Sequence, residues 1–199
     1  MALKYEELYE FLVGTLFPQN RIDNESSKIG LEIEMLPYYE PKGAKIRGLK
    51  RTSLADTKKA LAPFFESGDW KEKASYILKK EEAQISFEPG GQIEYSSSPC
   101  SHFSDLESEI LRVQESLKDF LARKSIKLIA MGIDPWTSVS EIPIQLNDKR
   151  YVFMEEFFHS LEGSLGRNMM TQTTAMQVCL DVSHKKELQT KQYLVSQLL

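Results

Sequence analysis

The segment from Gln84 to Ser96 constrains this chain most, because two short β-like runs flank Pro89-Gly90-Gly91 and together mark a hairpin. Two registers are open. A two-residue turn at Pro89-Gly90 pairs Phe87 with Gln92 and mixes apolar with polar side chains on each face. A three-residue loop over 89–91 pairs Glu88 with Gln92 and Ser86 with Glu94, leaving Ile85, Phe87, Ile93 and Tyr95 on the alternate faces of their strands. The three-residue loop is the expected one. One face then joins the core, and the other presents Ser86, Glu88, Gln92 and Glu94 together.

Two further segments share this habit. Ile29, Leu31, Ile33 and Met35 alternate with Lys28, Gly30, Glu32 and Glu34, and Met176, Val178, Leu180 and Val182 alternate with Gln177, Cys179 and Asp181. Side chains two apart on a strand stand about 6.6 Å from one another on one side, from a rise of about 3.3 Å per residue. That spacing can hold neighbouring divalent cations. Carboxylates packed so densely repel and raise one another's pKa values unless cations lie between them. Mg²⁺ suits such a site, since it takes oxygen ligands and completes its shell with water and nucleotide phosphates. A single Glu-x-Glu strand is ordinarily just a solvated face, so the weight rests on the strands jointly. The apolar faces are expected against helices, and the Glu-bearing faces along one open concave surface.

Helical periodicity fills the intervals. Leu8, Phe11, Leu12 and Leu16 predict an amphipathic helix over residues 3–16. Ser53 with Asp56 predicts a capped start for a helix limited by Pro63. Ser104 with Glu107 predicts a capping box for a helix running to about Lys124, buried along Leu106, Ile110, Val113, Leu117, Phe120 and Leu121. A short apolar strand is expected over 126–131, a turn at Gly132 to Trp136, and a helix over 151–161. A last helix, capped by Ser183, continues through Leu188, Leu194 and Leu198 with no stop signal. One domain over 1–199 is expected, and a pattern that runs on to the last residue is how a truncated sequence looks.

Composition removes several classes. A formal charge of −4 with mixed signs provides no field for nucleic acid. The acidic start, Met1 to Glu7, lacks the character of a signal peptide, and no apolar run approaches the roughly 20 residues that cross a bilayer. A cytoplasmic protein without nucleic-acid or membrane partners is therefore expected. Cys100 and Cys179 have no CxxC spacing and read as reduced thiols rather than zinc ligands. Cys100 and His102 lack a third partner for metal or nucleophilic chemistry, and His159 and His184 read as surface residues. The basic run Lys42, Lys45, Arg47, Lys50 and Arg51 reads as a solvated loop, with a mobile loop near phosphates as the alternative. Met169 and Met170 are consistent with plain core, and Trp70 and Trp136 carry no functional reading.

Ile29-Gly30-Leu31-Glu32-Ile33-Glu34 and Glu88-Pro89-Gly90-Gly91-Gln92-Ile93-Glu94 resemble the first metal strand and the Glu-Pro-Gly-Gly-Gln-x-Glu hairpin of the plant- and proteobacterial-type glutamate–cysteine ligases. Gly132 to Pro135, Ile142 to Ile144, Arg150-Tyr151 with Met154, and Met169-Met170 with Thr173 and Gln177-Val178 follow in that family's order. The likeness extends from about Ile29 to Ser183.

The resemblance implies an α+β fold: an antiparallel, saddle-like sheet with helices on its outer face, related to glutamine synthetase and incomplete here. It implies ATP and Mg²⁺, with glutamate and an amine such as cysteine as small-molecule substrates, joined through a γ-glutamyl phosphate. Glu32, Glu34, Glu88 and Glu94 match metal positions, and Glu88 and Gln92 match catalytic positions near phosphates or metals. Arg150, Tyr151, Met154, Met170, Thr173 and Gln177 match substrate- or cofactor-binding segments. There are departures: the family often has Asn at the position of Cys179, and plant-type members have Arg where Gln172 stands. The alternatives are a sibling ligase with another acceptor amine and an inactive or purely binding protein, and uncovered surface predicts self-association.

Overall fold

The computed structural model describes residues 27–40, 49–74, 76–182 and 185–197. The helix expected over 3–16, the Ser183 cap and three of the basic-loop residues, Lys42, Lys45 and Arg47, lie outside them. Strand β1 spans Ile29–Tyr39 and runs four residues beyond the alternation, because Leu36, Pro37 and Tyr38 are covered on both faces of the sheet. It is the spine of the molecule. Along its first half it pairs with β6 (Ile93–Ser96) on one edge and β8 (Met176–Leu180) on the other. Along its second half it pairs with β2 (Lys50–Arg51) and β7 (Ile126–Ile129). All four pairings are antiparallel.

The hairpin folds in the three-residue register. β5 (Ala83–Phe87) meets β6 with Ser86 opposite Glu94 and Phe87 opposite Ile93, and Glu88 N donates to Gln92 O at 3.0 Å. Both loop glycines are required. Gly91 sits at φ +82°, in the left-handed region, and a Cβ on Gly90 would lie 2.3 Å from the Thr171 carbonyl oxygen. Two short strands, β3 (Lys71–Ala74) and β4 (Ile77–Lys80), extend the sheet beyond β5 to an open eight-stranded antiparallel array. Sequence periodicity does not reveal them, since β3 is Lys-Glu-Lys-Ala and almost wholly exposed.

Two helices cover one face. α1 (Leu54–Ser67) begins where expected, with the Ser53 side chain accepting from Asp56 N, but it passes through Pro63 instead of stopping there. Proline removes one helical hydrogen bond. Burial of Ala60, Leu61, Phe64 and Phe65 on either side of it offsets the loss, at about 1.5–3 kcal/mol for each large apolar side chain. α2 (Phe103–Ala122) starts earlier than the Ser104 capping box predicts, with His102 at the N-cap and no side-chain cap. Cys100 and Ile29 exchange two 2.8 Å backbone bonds, so the chain leaves the sheet at Cys100 and Ser104 is already within the first turn. The helix ends at Ala122, not Lys124. Its stripe, with Leu106, Ile110, Leu117 and Leu121 buried, packs with the α1 aromatics on Ile33, Met35, Ile85, Phe87, Ile93 and Tyr95.

A smaller cluster of Leu146, Tyr151 and Met170 joins α3 (Lys149–Ser160) to α4 (Gly166–Thr171). α3 begins at Lys149, two residues ahead of the expected start, with Asp148 as its cap. α5 (Lys185–Ser196) ends the described chain. The α+β, antiparallel expectation holds. One part of the packing expectation does not: Met176, Val178 and Leu180 on β8 are 68%, 59% and 45% exposed, because among the described residues no helix lies over them. Among these residues no helix is long and apolar enough to cross a membrane.

Candidate carboxylate site

Register alone assembles the polar face. One cross-strand row runs Ser86, Glu94, Glu34 across β5, β6 and β1, and the adjacent row runs Gln84, Ser96, Glu32, Gln177 across β5, β6, β1 and β8. Glu88 extends the face past Ser86, at the mouth of the hairpin loop. Directly opposite residues on antiparallel strands place their Cβ atoms about 4.5–5.5 Å apart, so Glu34 and Glu94 face one another as like charges.

The protein supplies a few partners to these carboxylates. Glu94 Oε1 accepts from Ser86 Oγ at 2.8 Å and from Ser96 Oγ at 3.3 Å. Glu34 Oε2 accepts from Ala175 N at 2.9 Å. Glu88 Oε2 has the Tyr151 hydroxyl 3.5 Å away, and Tyr151 in turn receives the Arg150 guanidinium, which lies over its ring. Charge remains in excess. Glu32 and Glu34 are raised above the ordinary Glu value, chiefly by burial and then by Glu94. Glu88 is pushed up to about 7 by burial, with Glu94 and Glu34 adding to the rise and Arg150 and Tyr151 opposing it.

Most of the expected residues gather on this face. Glu32, Glu34, Glu88, Glu94 and Gln177 share it, and Arg150 and Tyr151 adjoin Glu88. Gln92 does not present itself there. It is 2% exposed, and its Nε2 donates to the carbonyls of Met170 at 3.3 Å and Thr173 at 3.0 Å, which ties the hairpin to the end of α4. Met170 is buried in the smaller core, and half-buried Met154 packs on it. Thr173 spends its hydroxyl on Met169 O. Gln172 is likewise committed, donating to the carbonyls of Asp134 at 3.2 Å and Thr137 at 2.9 Å.

Arg51 is a correction of another kind. Neither a solvated nor a phosphate-facing loop residue, it is buried in an ion pair with Asp134. No local signal finds this, because the partner stands 83 residues away. Cys179 lies beside Gly30 in a groove of about 410 Å³ that Glu32 also lines. Its thiol is raised by burial and by Glu32 and Glu94, and Cys100 is raised by burial and Glu109, so neither is activated as a nucleophile. Neither forms a disulfide.

Among the described residues no three carboxylate, histidine or cysteine side chains converge into a closed metal cage. The donor set is nevertheless all oxygen, with one or two carboxylates at each point and excess negative charge between them. That composition fits Mg²⁺, whose remaining ligands are water and phosphate oxygen.

The profile of glutamate-cysteine ligase family 2 matches residues 28–198, and the chain belongs to that family. The chain is 30% identical over 189 residues to glutamate–cysteine ligase A, chloroplastic, of Oryza sativa subsp. japonica, covering 94% of this chain and 36% of the relative. It is 30% identical over 169 residues to the chloroplastic glutamate–cysteine ligase of Brassica juncea, covering 84% of this chain and 30% of the relative. The Arabidopsis thaliana enzyme is 29% identical over the same length. The chain thus spans about a third of the length of the curated relatives it matches. Their names contradict the cytoplasmic expectation: each of these relatives is named chloroplastic.

Proposed function

We propose that this chain supplies the metal-binding sheet of an ATP-dependent ligase that joins the γ-carboxylate of glutamate to the amine of cysteine through a γ-glutamyl phosphate. The observation that carries the reading is the row in which Glu34 faces Glu94, flanked by Glu32 and Glu88 on the same side of the sheet. Family membership and the relatives' names support the same chemistry.

Glu32, Glu34, Glu88 and Glu94 are the residues that would hold Mg²⁺. When bound, the cations neutralise charge on the transferring phosphoryl group and orient it. The chain's own part is to keep the four carboxylates on one face of the sheet. Ser86, Ser96 and the Ala175 amide fix the Glu94 and Glu34 oxygens. Arg150, held over the Tyr151 ring beside Glu88, offers a cation to phosphate or to a substrate carboxylate. Gln177, opposite Glu32, offers an amide at the other end of the face. Met154 packs on the small core that holds Tyr151, with Met170 as its buried support.

A sibling ligase with a different acceptor amine is the second reading. Gln172, where the resembling plant enzymes have Arg, has its amide bound to two backbone carbonyls and carries no charge for a substrate carboxylate. One experiment addresses both. The full-length protein containing these residues is given ATP, Mg²⁺ and glutamate with a panel of amines, and ADP release is followed. ADP release dependent on both glutamate and cysteine is expected. Release that needs glutamate with another amine selects the sibling ligase, and no amine-dependent release with any member overturns the ligase reading.

A further inference from the structure

The Arg51–Asp134 pair lies inside the protein and off the carboxylate face. The two side chains are 7% and 0% exposed, with Arg51 Nη1 3.1 Å from Asp134 Oδ2. A buried ion pair is a weak source of stability, since desolvating two charges offsets their attraction, and it persists where further hydrogen bonds are made. Asp134 makes such bonds within its own turn, accepting from Trp136 N at 2.9 Å and Thr137 N at 3.0 Å. Arg51 makes its second bond elsewhere. Its Nη2 donates at 2.7 Å to the carbonyl of Gly90, at the tip of the hairpin loop.

That loop is held from several directions. Gln145 Nε2 reaches the same Gly90 oxygen at 3.0 Å, and Gln145 N donates to Pro89 O at 2.7 Å. On the far side the Gly90 backbone presses on Thr171, where even a Cβ has no room. Inside the loop, Gly91 N donates to Glu88 O at 2.8 Å, so a short path of hydrogen bonds joins Arg51 to the backbone of Glu88. The charges that act on the Glu88 carboxyl are those of Glu94, Glu34 and Arg150. Arg51 therefore reaches Glu88 through geometry rather than through its field.

We propose that Arg51 is a positioning residue for the carboxylate face, its bond to the Gly90 carbonyl clamping the 89–91 loop and so setting where Glu88 stands. The inference rests on the ligase reading of that face, and its test has an arm that does not need turnover. Arg51→Met combined with Asp134→Asn removes the donor without leaving a buried charge unpaired, and Asn keeps an oxygen for the Trp136 and Thr137 amides. Arg51→Lys restores a donor long enough for Gly90.

In amide hydrogen exchange on this chain, the double variant is expected to exchange at Glu88 and Gly91 at least about tenfold faster than the parent, with the α2 amides unchanged. Arg51→Lys is expected to return the rates to within about threefold. In the full-length protein the double variant should lose about 10²-fold in kcat, the scale of a misplacement of roughly 1 Å, while KM for ATP moves little. Unchanged exchange at both amides in the double variant overturns the proposal. If that variant does not fold, Arg51→Gln combined with Asp134→Asn, a neutral polar pair whose shorter side chain cannot reach Gly90, reads the same clamp. Unchanged Gly91 exchange there overturns it equally. If the parent protein shows no ligation while the exchange result is as expected, the ligase reading fails and the clamp stands.

Discussion

The hairpin β5–β6 and the strand β8 are written in the same period-2 code, yet they meet opposite fates. Phe87 and Ile93 of the hairpin are wholly buried under α1 and α2, whereas Met176, Val178 and Leu180 of β8 face outward with nothing described above them. Both pair with β1, and both contribute to one polar face. Alternation decides which side chains share a face and in what register. It does not decide what covers the apolar side, which depends on elements far away in the chain.

The comparison is sharpest in stability. Phe87→Ala should cost about 3–5 kcal/mol in denaturant unfolding, from lost transfer energy and the cavity left behind. Val178→Ala should lie within about 0.5 kcal/mol of the parent, as surface substitutions do. Equal losses would mean that β8 is covered in solution. In turnover the next largest effect is expected at the hairpin: Glu88→Gln in the full-length enzyme should lower kcat by about 10²–10³, or about 3–4 kcal/mol of transition-state stabilisation. Rates within about twofold of the parent at limiting Mg²⁺ would remove Glu88 from the metal set.

Metal-free stability should follow pH in a way that β8 does not share. Glu88 binds its proton more tightly in the folded protein, with its value raised from 4.5 to about 7. The stability it contributes is present in full below about 4.5 and is lost as pH rises through 7. Thermal melts of the metal-free chain should therefore decline over that window, and Glu88→Gln should flatten the decline and melt higher above pH 7. A parent profile already flat from 4.5 to 7 would show that Glu88 is solvated. The smallest effect concerns association: Val178→Lys should lower the apparent mass of this chain at high concentration, read by light scattering, since it places charge on an exposed apolar edge strand. No change would clear β8 of self-association.

Legibility followed the same division. The 89–91 loop was readable because the competing register scrambles both faces, and the carboxylate rows of Glu32, Glu34 and Glu94 followed from it. Gln92 obeyed the alternation, but its cover, the end of α4, comes about 80 residues later, and nothing nearby announces it. Arg51 was misread for a similar reason: a cation in a basic run looks solvated until Asp134 arrives to bury it. The early start of α2 was set by a backbone bridge at Cys100, and the passage of α1 through Pro63 by the aromatics beyond it. In each case tertiary contact overrode a local rule.

The four pairings of β1 also set a timetable for biosynthesis. The β6 partner follows β1 about 60 residues later, but β8 emerges only after roughly 143 residues beyond Ile33. At ~5–20 residues per second, one edge of β1 waits on the order of ten seconds on the ribosome for its mate. Contacts of such long range slow folding, and an unmated edge can capture a neighbouring chain. Nascent protein, more than the finished fold, is where this topology is exposed to error.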